Sequence, residues 1–598
     1  MDQQFQSFLQ DFHWGVTTDV PAFLGCHRQS RGGRDGFVFR VWAPNAKSIS
    51  VVGEFNFWNG SDLPMVKYPW GVWECWSGYA KEGDAYKYLV EDHNGGTIYK
   101  SDPVGFRVCR APDTSSVICD LSGFVWHDGG YLAAQGSRMV KDSPVNIYEL
   151  HLASWRRRED GSLYSYTELA PMIAGYAKNM GYTHVELMPL AEYPYDPSWG
   201  YQVTGFYAPT SRFGSPKEFM MLVDTLHRAG VGVIVDWVPG YFPKDASALY
   251  QFDGTCTYEP ADPERNEDVY RGTRLFDYSK PEVRNFLLSN AAFWLRQYHL
   301  DGIRVSGVDA MLHPGAMPPE QTDPYALAFL RELERVCRVQ QQAILITEGG
   351  DLPSDADAGL HWSADWTQQA LALCCGGRTP EGDLTPREDA PIRLLPLSHD
   401  EVVQGKGSLV SKMPGEYDRK FDALRMLLSF QMACPGKKLL FMGGEFAQFI
   451  EWDAGQGLDW MLLGFDRHRQ MQAFVRDLNH LYRREPALWR DDAGAAEWIC
   501  RDEGALALRR TGRRGEELIF LMNLSDQPLQ DLRLGLPGPG RCRCILSSDD
   551  PKYGGRGGCI PPVPAKNEPA GEYNNSGDFH IGPMSAAFYQ WQPESPAE

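Results

Sequence analysis

The sequence predicts an α/β protein built on a (β/α)8 TIM barrel, flanked by an N-terminal β-sandwich and a C-terminal all-β domain. Three observations carry this. Residues 36–130 alternate apolar and polar side chains between Gly, Asn and Asp turns, residues 131–494 interleave short apolar runs with amphipathic stretches, and helical spacing stops near residue 495.

Residues 1–35 read as a lead segment. Phe37-Val38-Phe39-Arg40-Val41-Trp42 and Ser50-Val51-Val52-Gly53 then show the two-residue period of half-buried strands. In the central region, apolar runs at 145–150, 183–190, 231–238, 302–308, 343–348, 392–398 and 437–443 read as seven strands. Helical stretches between them require parallel pairing. A doubly wound open sheet competes with the barrel, but no GxGxxG or Walker loop accompanies it. Ser215-Pro216-Lys217-Glu218 predicts a capping box before the apolar face Phe219, Leu222, Val223 and Leu226, with Gly230 as the stop. Ser279-Lys280-Pro281-Glu282 predicts the same device. Residues 495–598 read as short strands between turns such as Gly535-Leu536-Pro537-Gly538-Pro539-Gly540.

Composition removes several function classes. At 598 residues the chain is too long for one small module. Its 78 acidic residues against 58 basic leave a charge of −20, which repels nucleic acid and anionic membranes. With 43% hydrophobic residues it is not a disordered chain. The 13 cysteines form no CxxC pair, so free thiols are expected, with neither a metal site nor a disulfide framework. The start, MDQQFQSFLQDFHWGV, has no signal-peptide pattern, and no apolar run approaches the ~20 residues of a span. A cytoplasmic protein is expected.

Barrels carry their chemistry at the C-terminal ends of strands. The polar residues closing the apolar runs are Asp236, Arg304, Ser306, Glu348, His399 and Asp400. Paired carboxylates facing a sugar can cleave and remake a glycosidic bond, one as acid, the other as nucleophile. The plainer reading of Asp236 and Arg304 is an ion pair at a strand rim.

Four segments carry a family resemblance: Asp236-Trp237-Val238-Pro239-Gly240, Ser198-Trp199-Gly200-Tyr201-Gln202, Leu397-Ser398-His399-Asp400-Glu401-Val402-Val403, and Gly443-Gly444-Glu445-Phe446 followed by Gly457-Leu458-Asp459-Trp460. They resemble the 1,4-α-glucan (glycogen) branching enzymes of the α-amylase clan, over about residues 37–590. Val41-Trp42-Ala43-Pro44 with Gly53-Glu54-Phe55-Asn56-Phe57-Trp58 is similar to that family's carbohydrate-binding β-sandwich, and Ser547-Ser548-Asp549 with Tyr553-Gly554-Gly555 to its C-terminal domain. The resemblance implies that Tyr201 stacks on the sugar at the cleavage position, Asp236 supports Arg304, and His399 with Asp400 grips that ring's hydroxyls. It makes Glu348 the general acid/base, with Thr347 the alternative if the gap before Pro353 is placed differently. No cofactor is implied.

The chain also departs from the family pattern. Where the family reads Arg-Val-Asp-Ala-Val, with the aspartate as nucleophile, this chain reads Arg304-Val305-Ser306-Gly307-Val308. A glycosyl ester departs as the base of an acid of pKa ~4, whereas a glycoside of serine is as inert as the substrate. Asp309 lies three residues on, ~10 Å along a strand. The histidine of the family's Pro-Gly-His-Phe is Tyr241, Glu348-Gly349-Gly350 loosens a polar turn, and the segments after Met311 and between Trp366 and Leu394 are shorter than the family's.

The expectation is therefore a catalytically silent or strongly impaired homologue that binds α-1,4-glucan such as glycogen or amylose, with an active enzyme of glycogen metabolism as its partner. The alternatives are an active branching enzyme, and a hydrolase or trehalose-forming relative. Trp42, Trp58, Trp70, Trp73 and Trp76 are either core or a sugar platform.

Overall fold

The computed structural model describes residues 3–135, 140–315, 317–318, 321–340, 343–348, 359–376, 391–502, 504–557 and 560–594. Gly349 and Gly350, and most of the segment between Trp366 and Leu394, lie outside the described residues, as does Pro353.

Eight parallel strands close a barrel: β1 (Asn146–Leu150), β2 (His184–Leu187), β3 (Gly232–Trp237), β4 (Gly302–Val305), β5 (Ile344–Thr347), β6 (Gly359–Trp362), β7 (Ile392–Leu397) and β8 (Lys437–Phe441). They follow in chain order and β8 returns to β1, which excludes the open sheet. Seven coincide with the apolar runs, because strands covered on both faces need apolar residues at successive positions. The eighth, β6, is the short Gly-Leu-His-Trp, only half buried, and has no such run.

By internal contacts the chain forms two units, one of residues 1–136, 158–174 and 186–359, the other of residues 137–157, 175–185 and 360–598. In the first, the N-terminal β-module has a sheet of Gly25–Arg28, Phe37–Trp42, Val72–Ser77 and Val66–Lys67. The strand Gly25–Arg28 pairs with Phe37–Trp42, so the sheet begins inside the expected lead segment. A second sheet joins Ser48–Gly53 to Ala85–Glu91 and Thr97–Lys100. Trp42 and Trp73 are core, whereas Trp58 is 39% and Trp70 41% exposed.

The helix Pro216–Arg228 starts with the predicted capping box, Ser215 accepting from the Glu218 amide. The second predicted box is absent. The helix Pro281–Gln297 starts after Lys280, and Ser279 Oγ instead donates to Asp277 Oδ1 at 2.5 Å. Asp277 offers a nearer acceptor, a competition that four-residue motifs do not reveal.

Asp301, just before β4, anchors three strands at their N-terminal ends. Its amide donates to the Val233 carbonyl (2.8 Å), its carbonyl accepts from the Ile344 amide (2.8 Å), and Oδ2 accepts from the Val233 amide (2.7 Å). His227 bridges Asp301 Oδ2 and Asp128 Oδ2, both at 2.9 Å, with a fully buried side chain. Burial disfavours the imidazolium, but Asp301 and Asp128 overcome it and raise the His227 pKa to about 9.

In the second unit the C-terminal domain pairs Ala496–Arg501, Ala505–Thr511, Glu517–Asn523, Ser585–Pro593, Gly540–Ser547 and Val563–Pro564 in one sheet, and Leu529–Leu536 with Asn575–Ile581 in another. Leu521, Leu534, Leu536, Phe579 and Tyr589 share its core. Every described cysteine is free. No described helix is long and apolar enough to cross a membrane.

Candidate active site

Tyr201, Asp236, Tyr241, Arg304, Ser306 and Glu348 belong to the first unit, His399 and Asp400 to the second. In the first, one guanidinium gathers the ends of β3, β4 and β5. Asp236 and Arg304 are register partners, so they stand at the same level of the sheet. Arg304 Nη1 donates to Asp236 Oδ2 (2.5 Å) and to Tyr201 Oη (3.2 Å), while Nη2 donates to Glu348 Oε1. Tyr201 Oη donates to Asp236 Oδ2 at 2.6 Å. Burial opposes the charge on Arg304, but Asp236, Glu348, Tyr201 and Glu186 outweigh it and hold the guanidinium more firmly protonated than usual. This is the ion pair of the plainer reading, extended to a carboxylate and a phenol.

Glu348 follows the last residue of β5 and its side chain is 25% exposed. Thr347 is paired in the sheet opposite Val305 and is 5% exposed.

Ser306 is 7% exposed, and its amide donates to the Trp237 carbonyl at 2.9 Å. A reacting sugar at the end of β4 would meet a neutral hydroxyl there. Asp309 lies on the element that follows β4. It is exposed on the helix Val308–Leu312, whose inward face is Val308, Met311 and Leu312.

Tyr241 is 5% exposed and opens a two-residue strand paired with Thr273–Leu275. The Arg271 guanidinium lies 5.2 Å from its ring centroid. Burial raises its pKa, against the opposing effects of Arg271 and Ser306.

In the second unit Ser398 caps the short helix His399–Glu401. The His399 amide donates to Glu149 Oε2 at 3.0 Å, and its Nδ1 lies 2.5 Å from Glu149 Oε1, a fully buried carboxylate at the end of β1. That contact fixes the ring and turns Nε2 toward Asp400 Oδ1, 3.4 Å away. The Asp400 side chain is 53% exposed.

Sequence reasoning missed Glu149, Glu186 and Arg271. Glu149 in Asn146-Ile147-Tyr148-Glu149-Leu150 and Glu186 in His184-Val185-Glu186-Leu187 are polar residues in otherwise apolar strands, the same signal that singled out Asp236. Arg271 sits in a loop hairpin and gave none.

Comparison with known proteins follows the same lines. Residues 23–105 match carbohydrate-binding module 48 (isoamylase N-terminal domain), and residues 498–592 match the C-terminal all-β domain of α-amylases. The 1,4-alpha-glucan branching enzyme GlgB of Cellvibrio japonicus is 40% identical over 583 residues, covering 92% of this chain and 78% of that enzyme. GlgB of Bacillus cytotoxicus is 41% identical over 576 residues, covering 92% and 89%. Among solved structures, the Group B Streptococcus pullulanase SAP in complex with maltotetraose matches with a TM-score of 0.72 at 15% identity, covering 95% of this chain and 87% of that one, a likeness of fold.

Proposed function

This chain belongs to the family of 1,4-α-glucan branching enzymes, and we propose that within it the chain binds α-1,4-glucan while the family's double-displacement chain transfer is lost or strongly impaired. The observation that carries the proposal is Ser306, a buried hydroxyl at the end of β4 where the family pattern has its aspartate. In the retaining route that carboxylate attacks the anomeric carbon as the protonated leaving oxygen departs, and it is itself expelled when the acceptor 6-hydroxyl attacks. A glycoside of a serine hydroxyl would not be expelled in the second step.

Glucan binding is supported by the match to carbohydrate-binding module 48, by the exposed Trp58 and Trp70, and by the maltotetraose named with the pullulanase neighbour. Tyr201, His399 and Asp400 keep the residue identities of the family pattern. Glu348 supplies an acid with no nucleophile to complement it. The role that remains is to hold glucan, alongside an active enzyme of glycogen metabolism.

A second reading, an active branching enzyme, is favoured by the roughly 40% identity with branching enzymes across 92% of the chain and by the retained Asp236, Arg304 and Glu348 network. An amylose assay separates the two, with protein made in a host lacking its own branching enzyme. The expected result is retention of amylose without new α-1,6 links. Formation of such links by the natural chain would establish the second reading.

A further inference from the structure

Three departures from the family pattern meet in one contact. Gly307 has φ +79°, and a Cβ there would lie 2.9 Å from Tyr241 Cε1 and 3.2 Å from Cδ1. Real side chains do not approach so closely, so residue 307 can carry none while the ring is in place. Gly240 meets the same loop from the other side, where a Cβ would lie 2.9 Å from the Gly307 carbonyl oxygen. The ring has no easy way out. Pairing of Tyr241 with Leu275 and of Phe242 with Arg274 fixes its backbone, and Arg271 covers it. Arg271 is tied to Asp268 at 2.6 Å.

We propose that Tyr241, Ser306 and Gly307 form one interlocked closure of the sugar position at the end of β4, and that Tyr241 is the specificity-determining residue that keeps a pyranose ring out of it. The proposal rests on the reading that the natural chain does not transfer glucan. It extends that reading from a missing nucleophile to a missing space. A carboxylate restored at position 306 alone would meet the phenol instead of an anomeric carbon. In the natural chain glucan is then held by the N-terminal module.

Two measurements on the full chain test the closure. In the first, Gly307→Ala is made in the natural background and in Tyr241→His, and thermal unfolding is followed. The left-handed backbone penalises alanine in both, so the difference isolates the ring. With Tyr241 present the midpoint falls by at least about 2–4 °C, and Tyr241→His recovers half or more of the loss. Equal losses, or failure of both Gly307→Ala proteins to fold, would assign the barrier to the backbone and overturn the interlock; folding only with Tyr241→His would uphold it.

In the second, amylose branching is compared for the natural chain, Ser306→Asp, and Ser306→Asp/Gly307→Ala/Tyr241→His. Ser306→Asp stays silent, while the triple variant forms at least tenfold more α-1,6 links. A single variant as active as the triple, or a triple as silent as the single, would overturn Tyr241 as the closing residue. Branching by the natural chain would instead refute the proposed loss of transfer, and the thermal comparison would still judge the contact by itself.

Discussion

Replacing His227 with Gln tests the charge clamp at the base of β3, β4 and β5. Its imidazole bridges Asp128 and Asp301, and His299 Nδ1 lies 2.8 Å from the same Asp128 oxygen. Tyr131 donates to Asp301 Oδ1 at 2.8 Å. The pKa of His227 is about 9 against an unfolded value near 6.5, a rise worth about 3 kcal/mol. Because the folded pKa is the higher one, the stabilisation is fully present below pH 6.5 and is lost as pH rises through about 9. The assay is the urea midpoint of the natural chain and of His227→Gln at half-unit steps from pH 6 to pH 10. At pH 6 the variant is less stable by about 3 kcal/mol, since two carboxylates lose their buried cation, and the curves converge above pH 9. Groups titrating elsewhere act on both proteins and cancel in the difference. A gap that stays constant across this range would refute the charged clamp and leave only a packing role for the ring.

Other substitutions probe binding and packing. Trp58→Ala lowers retention on amylose severalfold but changes stability by no more than about 0.5 kcal/mol, as expected of a 39% exposed ring; affinity electrophoresis and urea unfolding read the two effects. Tyr201→Ala changes maltoheptaose binding by the natural chain, measured calorimetrically, by no more than about twofold, because Tyr241 closes the sugar position that the resemblance gives to Tyr201 and the N-terminal module carries the binding. Asp491→Ala destabilises the chain by about 3–5 kcal/mol in urea, because Lys437 Nζ, 2.7 Å from Asp491 and wholly buried, is left without its counter-charge.

The barrel is legible because seven of its strands are covered on both faces and write themselves as apolar runs. β6 escapes because only Gly359 and Leu360 of its four residues are buried, which leaves no apolar run to see. The helix cap at Ser215 is readable from four residues, while that at Ser279 fails because Asp277 competes for the hydroxyl. At the candidate site, Asp236, Arg304 and Glu348 follow from the strand-end rule. Glu149 and Glu186 each sit one residue before the end of an otherwise apolar strand and would have yielded to the same rule fully applied.

By itself the sequence determined the family, the order of the domains and the serine at position 306, since each is a matter of residue identity along the chain. Only the tertiary structure decided which residues share a position. Pairing of Asp236 with Arg304 across β3 and β4 brings the loops that follow these strands side by side, and Tyr241 thereby comes to rest on Gly307. Residues so distant in sequence leave no joint pattern in it. A fully buried Glu149 against His399, and an imidazolium held at His227 by two carboxylates, arise in the same way from chain segments that folding alone makes neighbours.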